Sequence, residues 1–248
     1  MVTEPSFLTT GLFGQIEVIR RRVYRLAILL AAATLVAYPF ATYLLHFIKQ
    51  PLGAYPLVMY APLEGFLGHL KVAFATGIIL ISPLILYELK RFLQTVCRFP
   101  PRTAWIGTSV AAGLFAIGIS FCYLVILPVT LQFLLGYGGD NIAAGISVSK
   151  YLSLTLGLAA ASGVMFELPL VFRILHQLGL ISITFLTNNR RYAILISAVF
   201  TAILTPTPDA YTMSMLLVPL IGLYEVSIIV LRIAEYRHPR LEDDSTEK

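Results

Sequence analysis

Six apolar runs organise this chain, at 23–47, 70–89, 104–135, 151–172, 192–204 and 211–231. A hydrocarbon core of about 30 Å takes about 20 residues of helix to cross. Five of the six runs reach that length. Lipid offers a backbone no hydrogen-bond partner, and a helix is the form in which a single segment satisfies its own N–H and C=O groups. Only 12% of the residues are charged, against about 25% in a soluble domain. The expected fold is an all-α polytopic membrane protein with six transmembrane helices, the fifth and sixth short. It forms a single integral membrane domain over 1–248, with no room for a large soluble domain.

The fifth run is the weak one. Its 13 residues rise about 20 Å at roughly 1.5 Å each, short of the hydrocarbon thickness. Either the bilayer thins beside it or the segment is re-entrant. Thr205-Pro206-Thr207-Pro208-Asp209 stops it, and the sixth run follows at once. The flanking segments sort by charge. With six passes, the N-terminus, the 90–104 and 173–191 segments and the C-terminus share one side and hold 15 of the 18 lysines and arginines. Lys49, Lys71 and Lys150 lie opposite. The positive-inside rule then places both termini in the cytoplasm. The net charge of +5 is accounted for by these positions, so no nucleic-acid partner is expected.

Within 1–22, Phe7, Leu8, Leu12, Phe13, Ile16 and Ile19 recur near helical spacing, which suits a short amphipathic helix on the cytoplasmic surface. Arg20-Arg21-Arg22 before an apolar stretch looks like the start of a signal peptide, but the run continues to Phe47. A signal core has about 7–15 apolar residues, so this one reads as a retained first span. The acidic stretch at 236–248 reads as a disordered tail.

One span carries a carboxylate. Glu167 sits near the end of the fourth run, two residues before Pro169. An acid at that depth costs a few kcal/mol on insertion scales. It is either neutral, paired, or turned to a polar cavity. A plain helix–helix hydrogen bond is the simpler alternative. Two further acids lie near the membrane: Asp209, read as a cap for the sixth helix, and Glu225, which either docks a partner or pairs with Arg232. Pro39, Pro83 and Pro128 are read as shaping their helices.

Several classes are excluded or disfavoured. No phosphate-binding glycine pattern supports nucleotide-driven pumping, and no HExxH or clustered histidine supports a metal site, so neither cofactor nor metal is expected. Cys97 and Cys122 fall in different environments and suggest no disulfide. The serines within the spans have no base beside them, so the chain does not read as an enzyme. Spans two and four are not copies of one another, which disfavours a repeat-built transporter. A proton-coupled small-solute carrier using Glu167 remains as an alternative.

Four motifs in order then carry a resemblance. They are Ser82-Pro83-Leu84-Ile85-Leu86-Tyr87, Phe166-Glu167-Leu168-Pro169, Leu204-Thr205-Pro206-Thr207-Pro208-Asp209 and Leu223-Tyr224-Glu225. Together with Arg20, Arg22 and Pro51-Leu52, their order and spacing resemble the TatC family, the multi-span core of the twin-arginine protein translocase. The resemblance implies a glove-like bundle with both termini cytoplasmic and the acid matching Glu167 facing its concavity. It implies binding of the twin-arginine signal peptides of folded cargo and docking of single-span TatA/TatB-type partners. Self-association in the bilayer and transport driven by the proton-motive force are implied as well.

The chain departs from the family pattern at two acids. The glutamate usually found two residues before the first arginine of the N-terminal element falls on Val18. The glutamate of the first cytoplasmic loop falls on Pro101. Those carboxylates are the ones expected to meet the arginines of the signal. Glu88, where the family commonly has glutamine, and Glu17 are the acids left on that side. The expected signal-binding set is therefore Arg20, Arg22, Glu17, Glu88 and Phe92, with Glu167 in the translocation region. Pro51, Pro83, Asp209 and Glu225 are expected in docking or structural roles. The alternative within the family is a divergent scaffold paralogue with altered signal recognition.

Overall fold

The computed structural model describes residues 6–53, 55–95, 99–136, 145–204 and 210–237, with 6–19, 204, 211, 212 and 237 described by their backbone alone. The first pass is built in pieces. α1 (Ser6–Ala37) runs without a break from the basic segment into the apolar one. The separate surface helix expected over 1–22 is thus the first part of a continuous helix, because arginines are good helix formers and nothing there interrupts the backbone ladder. Tyr38-Pro39-Phe40 tightens into a 3-10 turn, and α2 (Ala41–Lys49) completes the pass. Pro51 sits in a second 3-10 turn, Gln50–Leu52, after which Gly53 turns the chain at φ 60°.

Prolines shape the next two passes in different ways. In α3 (Pro62–Thr95), Pro83 has no N–H for the Ile79 carbonyl. The Ser82 hydroxyl donates to that carbonyl at 2.8 Å, and the helix continues. In the third pass, α4 (Pro101–Phe121) and α5 (Leu127–Gly136) are joined by a π-turn over Cys122–Ile126, where the Leu127 N–H reaches back to the Cys122 carbonyl. Pro128 follows directly, and the widened turn absorbs its missing donor. The fourth pass comprises α6 (Val148–Phe166) and α7 (Leu168–Gln177).

The segment 178–189, expected as loop, contains a short helix, α8 (Ile183–Asn188). Ser182 caps it, its hydroxyl accepting from the Phe185 N–H at 3.0 Å. The last two helices form a pair. α9 (Arg190–Leu204) has 15 residues, as short as expected. α10 (Ala210–Arg237) has 28, so the sixth helix is not short. It runs past the apolar residues because Arg232-Ile233-Ala234-Glu235-Tyr236 holds no glycine or proline to end it. Among the described residues five helical stretches are long and apolar enough to cross a membrane, and α9 is not one of them.

Helix contacts follow small residues. α3 packs along α1 and α4, α4 along α6, and α10 along α7 and α9. A Cβ on Gly118 would stand 2.6 Å from the Ser162 carbonyl oxygen, so α4 and α6 cross at backbone contact. Close crossings of this kind supply the dispersion contacts that hold helices together in lipid.

One short sheet interrupts the all-helical picture. β1 (Leu57–Val58) pairs in parallel with β2 (Ile146–Ser147), Leu57 facing Ile146 and Val58 facing Ser147. Glu64 secures the pairing, accepting from the Tyr60 N–H at 3.2 Å and from the Ser147 hydroxyl at 3.3 Å. Beneath it, Tyr151 donates to the Ile48 carbonyl at 2.6 Å, over a core that includes Ala41, Leu52, Val72, Leu127 and Leu152. The basic end has no such sheet among the described residues.

Candidate functional site

The arginine-rich end brings α1 and α3 together. Arg22 and Glu88 approach to 3.8 Å, Nε to Oε2, with side chains 24% and 11% exposed. This is an ion pair without a hydrogen bond, and Oε2 of Glu88 is buried with no donor on it among the described residues. A carboxylate has room for about four donors, so Glu88 retains acceptor capacity. Phe92, one helical turn further along α3, is 38% exposed, and Arg20 is exposed on α1. Beside them Lys90 lies 4.2 Å from the Trp105 ring and Arg91 lies 5.6 Å from that of Tyr87. Pro101 opens α4 and brings no acid to this end. The side chains of Glu17 and Val18 lie outside the described residues.

Glu167 occupies the break between α6 and α7. It is the single residue between the two helices, the C-cap of one and the N-cap of the next, at φ −76° and ψ −10°. Pro169 follows in the first turn of α7, where a proline costs no hydrogen bond. The Glu167 N–H donates to the Val164 carbonyl at 3.1 Å, and its carbonyl accepts from the Val171 N–H at 3.0 Å. The side chain is half-buried and meets no cation or donor among the described residues. The expected polar site in the fourth span is therefore a kink that carries an unpaired carboxyl group.

The Leu223-Tyr224-Glu225 motif is a clasp. The Tyr224 hydroxyl donates to the Leu186 carbonyl in α8 at 2.7 Å, and its ring meets Phe172 edge-on at 5.8 Å. Glu225 pairs with Arg190 at 3.1 Å, not with Arg232 as one reading of the sequence had it. Arg190 opens α9, and its pairing was hidden because the two residues are far apart in sequence. Asp209 lies outside the described residues. Pro51 and Pro83 sit in a turn and within α3, as described above. Among the described residues no group of three His, Cys, Asp or Glu is placed to hold a metal ion.

The family described as Sec-independent protein translocase protein (TatC) matches residues 15–219. This chain belongs to the TatC family. It is 35% identical over 224 residues to the TatC protein of Carboxydothermus hydrogenoformans, covering 89% of this chain and 92% of that one. It is 34% identical over 236 residues to that of Aquifex aeolicus, covering 91% and 98%. Among solved structures it is similar to a crystal structure of the twin-arginine translocase receptor TatC, at a TM-score of 0.77 and 31% identity. That match covers 88% of this chain and 98% of the other. The family match over residues 15–219 includes Arg22, Glu88 and Glu167.

Proposed function

We infer that this chain is the multi-span core subunit of a twin-arginine translocase, integral to the membrane, and that it takes the signal peptide of its cargo at the arginine-rich end. The observation that carries the receptor role is the buried Glu88 carboxylate with an acceptor oxygen free of hydrogen bonds. A guanidinium meets a carboxylate with two parallel N–H donors, which an ammonium cannot reproduce. Arg22 holds Glu88 only through its Nε edge at 3.8 Å. An arriving arginine that moves in over Oε2 therefore displaces a loose ion pair and no hydrogen bond. Phe92 presents an apolar surface one turn away for the residues that follow the arginines. In this reading Glu88 replaces the acids lost at Val18 and Pro101, with Glu17 as the second candidate, and the basic end faces the cytoplasm.

The cycle then needs no bond made or broken. Signal binding positions the cargo, single-span partners of the TatA/TatB type join on the side of α9 and α10, and the proton-motive force drives passage. Glu167, unpaired at the kink, is the polar group in the path. The test is binding of a twin-arginine signal peptide and its twin-lysine variant to the protein in nanodiscs. Charge-assisted hydrogen bonds contribute about 1.5–3 kcal/mol, so arginine is expected to win by about tenfold or more. Equal binding, or none, would remove the receptor role and leave a scaffold within the complex.

A further inference from the structure

A cavity of about 850 Å³ opens between the first pass, α3, α4 and α6. Its wall is apolar along Phe74, Ile78, Phe115 and Leu156, yet it includes Lys71. Lys71 is half-buried and donates to the Ser153 hydroxyl at 2.7 Å, the Ser149 hydroxyl at 2.8 Å and the Ser149 carbonyl at 3.4 Å. All three acceptors are neutral. Among the described residues no carboxylate pairs with this lysine. Among the described residues the charge is thus hydrogen-bonded but not compensated, and cations at membrane depth ordinarily have a counter-ion or water. Thr155 also lines the cavity, but its hydroxyl is buried beside the Tyr151 phenol, which donates to the Ile48 carbonyl. Ser149 and Ser153 also border a second hollow, which Lys150 lines as well.

Depth selects the ligand. The 34 residues of α3 rise about 51 Å, roughly 20 Å more than a hydrocarbon core. Lys71 is nine residues in from Pro62, about 14 Å along the axis. With α3 centred in the bilayer, the ammonium stands within a few ångströms of the hydrocarbon boundary, beside the phosphates of the leaflet remote from the arginine-rich ends.

We propose that this cavity binds one phospholipid of that leaflet, its phosphate held by Lys71, Ser149 and Ser153 and one acyl chain lying along Phe74, Ile78 and Phe115. A phosphodiester supplies the missing negative charge, and the acyl chain fills the apolar wall. Free phosphate gains nothing from the apolar wall, and an apolar partner helix brings no anion to Lys71.

The test uses the full chain in detergent micelles. Trp105 is the one tryptophan, so Trp105→Phe with Phe74→Trp places a single fluorophore in the cavity. Phosphatidylglycerol with brominated acyl chains should quench it along a saturable curve. Lys71→Gln should raise the midpoint by about fivefold or more, and Lys71→Arg should hold it within about twofold, since charge-assisted bonds to phosphate survive that exchange. Brominated diacylglycerol should give only weak, unsaturable quenching, and millimolar inorganic phosphate should leave the lipid curve unmoved. Equal midpoints for Lys71 and Lys71→Gln, or equal quenching by diacylglycerol, would overturn the proposal. Displacement of the lipid by inorganic phosphate would also overturn it, by showing a simple anion site.

Discussion

At the scale of single residues, this protein handles polar groups at membrane depth by giving most of them a local partner. Ser82 is one such case. Its hydroxyl serves the Ile79 carbonyl that Pro83 leaves open. Ser82→Ala exposes that carbonyl, and an unmade bond of this kind costs about 1–3 kcal/mol. A lower midpoint in detergent thermal unfolding is expected, with Ser82→Thr close to the wild type. Glu167 is the opposite case, half-buried with no partner among the described residues. Glu167→Leu should raise the unfolding midpoint while lowering transport in a cargo export assay, the usual trade between stability and function at a built site. A mutant less stable than the wild type would show that the carboxyl is structural. Glu167, Pro83 and Glu88 were all legible in the sequence, since an acid or a proline inside an apolar run is conspicuous. Their partners were not. Arg22 lies 66 residues from Glu88, and a hydrogen bond or ion pair across helices leaves no local pattern.

At the scale of elements, α9 and α10 act as one antiparallel unit. Arg190 begins α9 and Glu225 is fifteen residues after the start of α10. At about 1.5 Å per residue both helices reach the level of that ion pair after about 21–22 Å. α9 thus matches the first part of α10, and the remaining twelve residues of α10 extend beyond it. A run of 13 apolar residues gave the shortness of α9, but the length of α10 was underestimated because its polar last turns ended the apolar run and not the helix. The pair is 47% and 41% exposed, so its own worth is about 0.2–1 kcal/mol after solvent screening. Glu225→Gln should therefore shift the unfolding midpoint little, and Tyr224→Phe, which strips the buried Leu186 carbonyl of its donor, should shift it more. A large loss with Glu225→Gln would show that the ion pair is the main clasp. Elsewhere, Gly118→Val should be strongly destabilising, since its side chain would meet the backbone of α6.

At the scale of the whole molecule, the two ends are built differently. The end remote from the arginines is held by β1 and β2, by Glu64 and by Tyr151. The arginine-rich end holds a loosely met carboxylate, exposed rings and cations. This contrast suits a receptor that is fixed on one side and receptive on the other. The helical membrane architecture was evident from six apolar runs, whereas the small sheet was not, since two residues per strand give no period to read. In the proposed receptor Glu88 meets an arginine of the signal. The direct measurement is a double-mutant cycle in nanodiscs, combining Glu88→Gln with arginine-to-lysine exchange in the signal peptide and reading binding affinity. Groups in contact couple by about 0.5–3 kcal/mol, so the two changes together should cost clearly less than their sum. Simple additivity would place signal recognition away from Glu88.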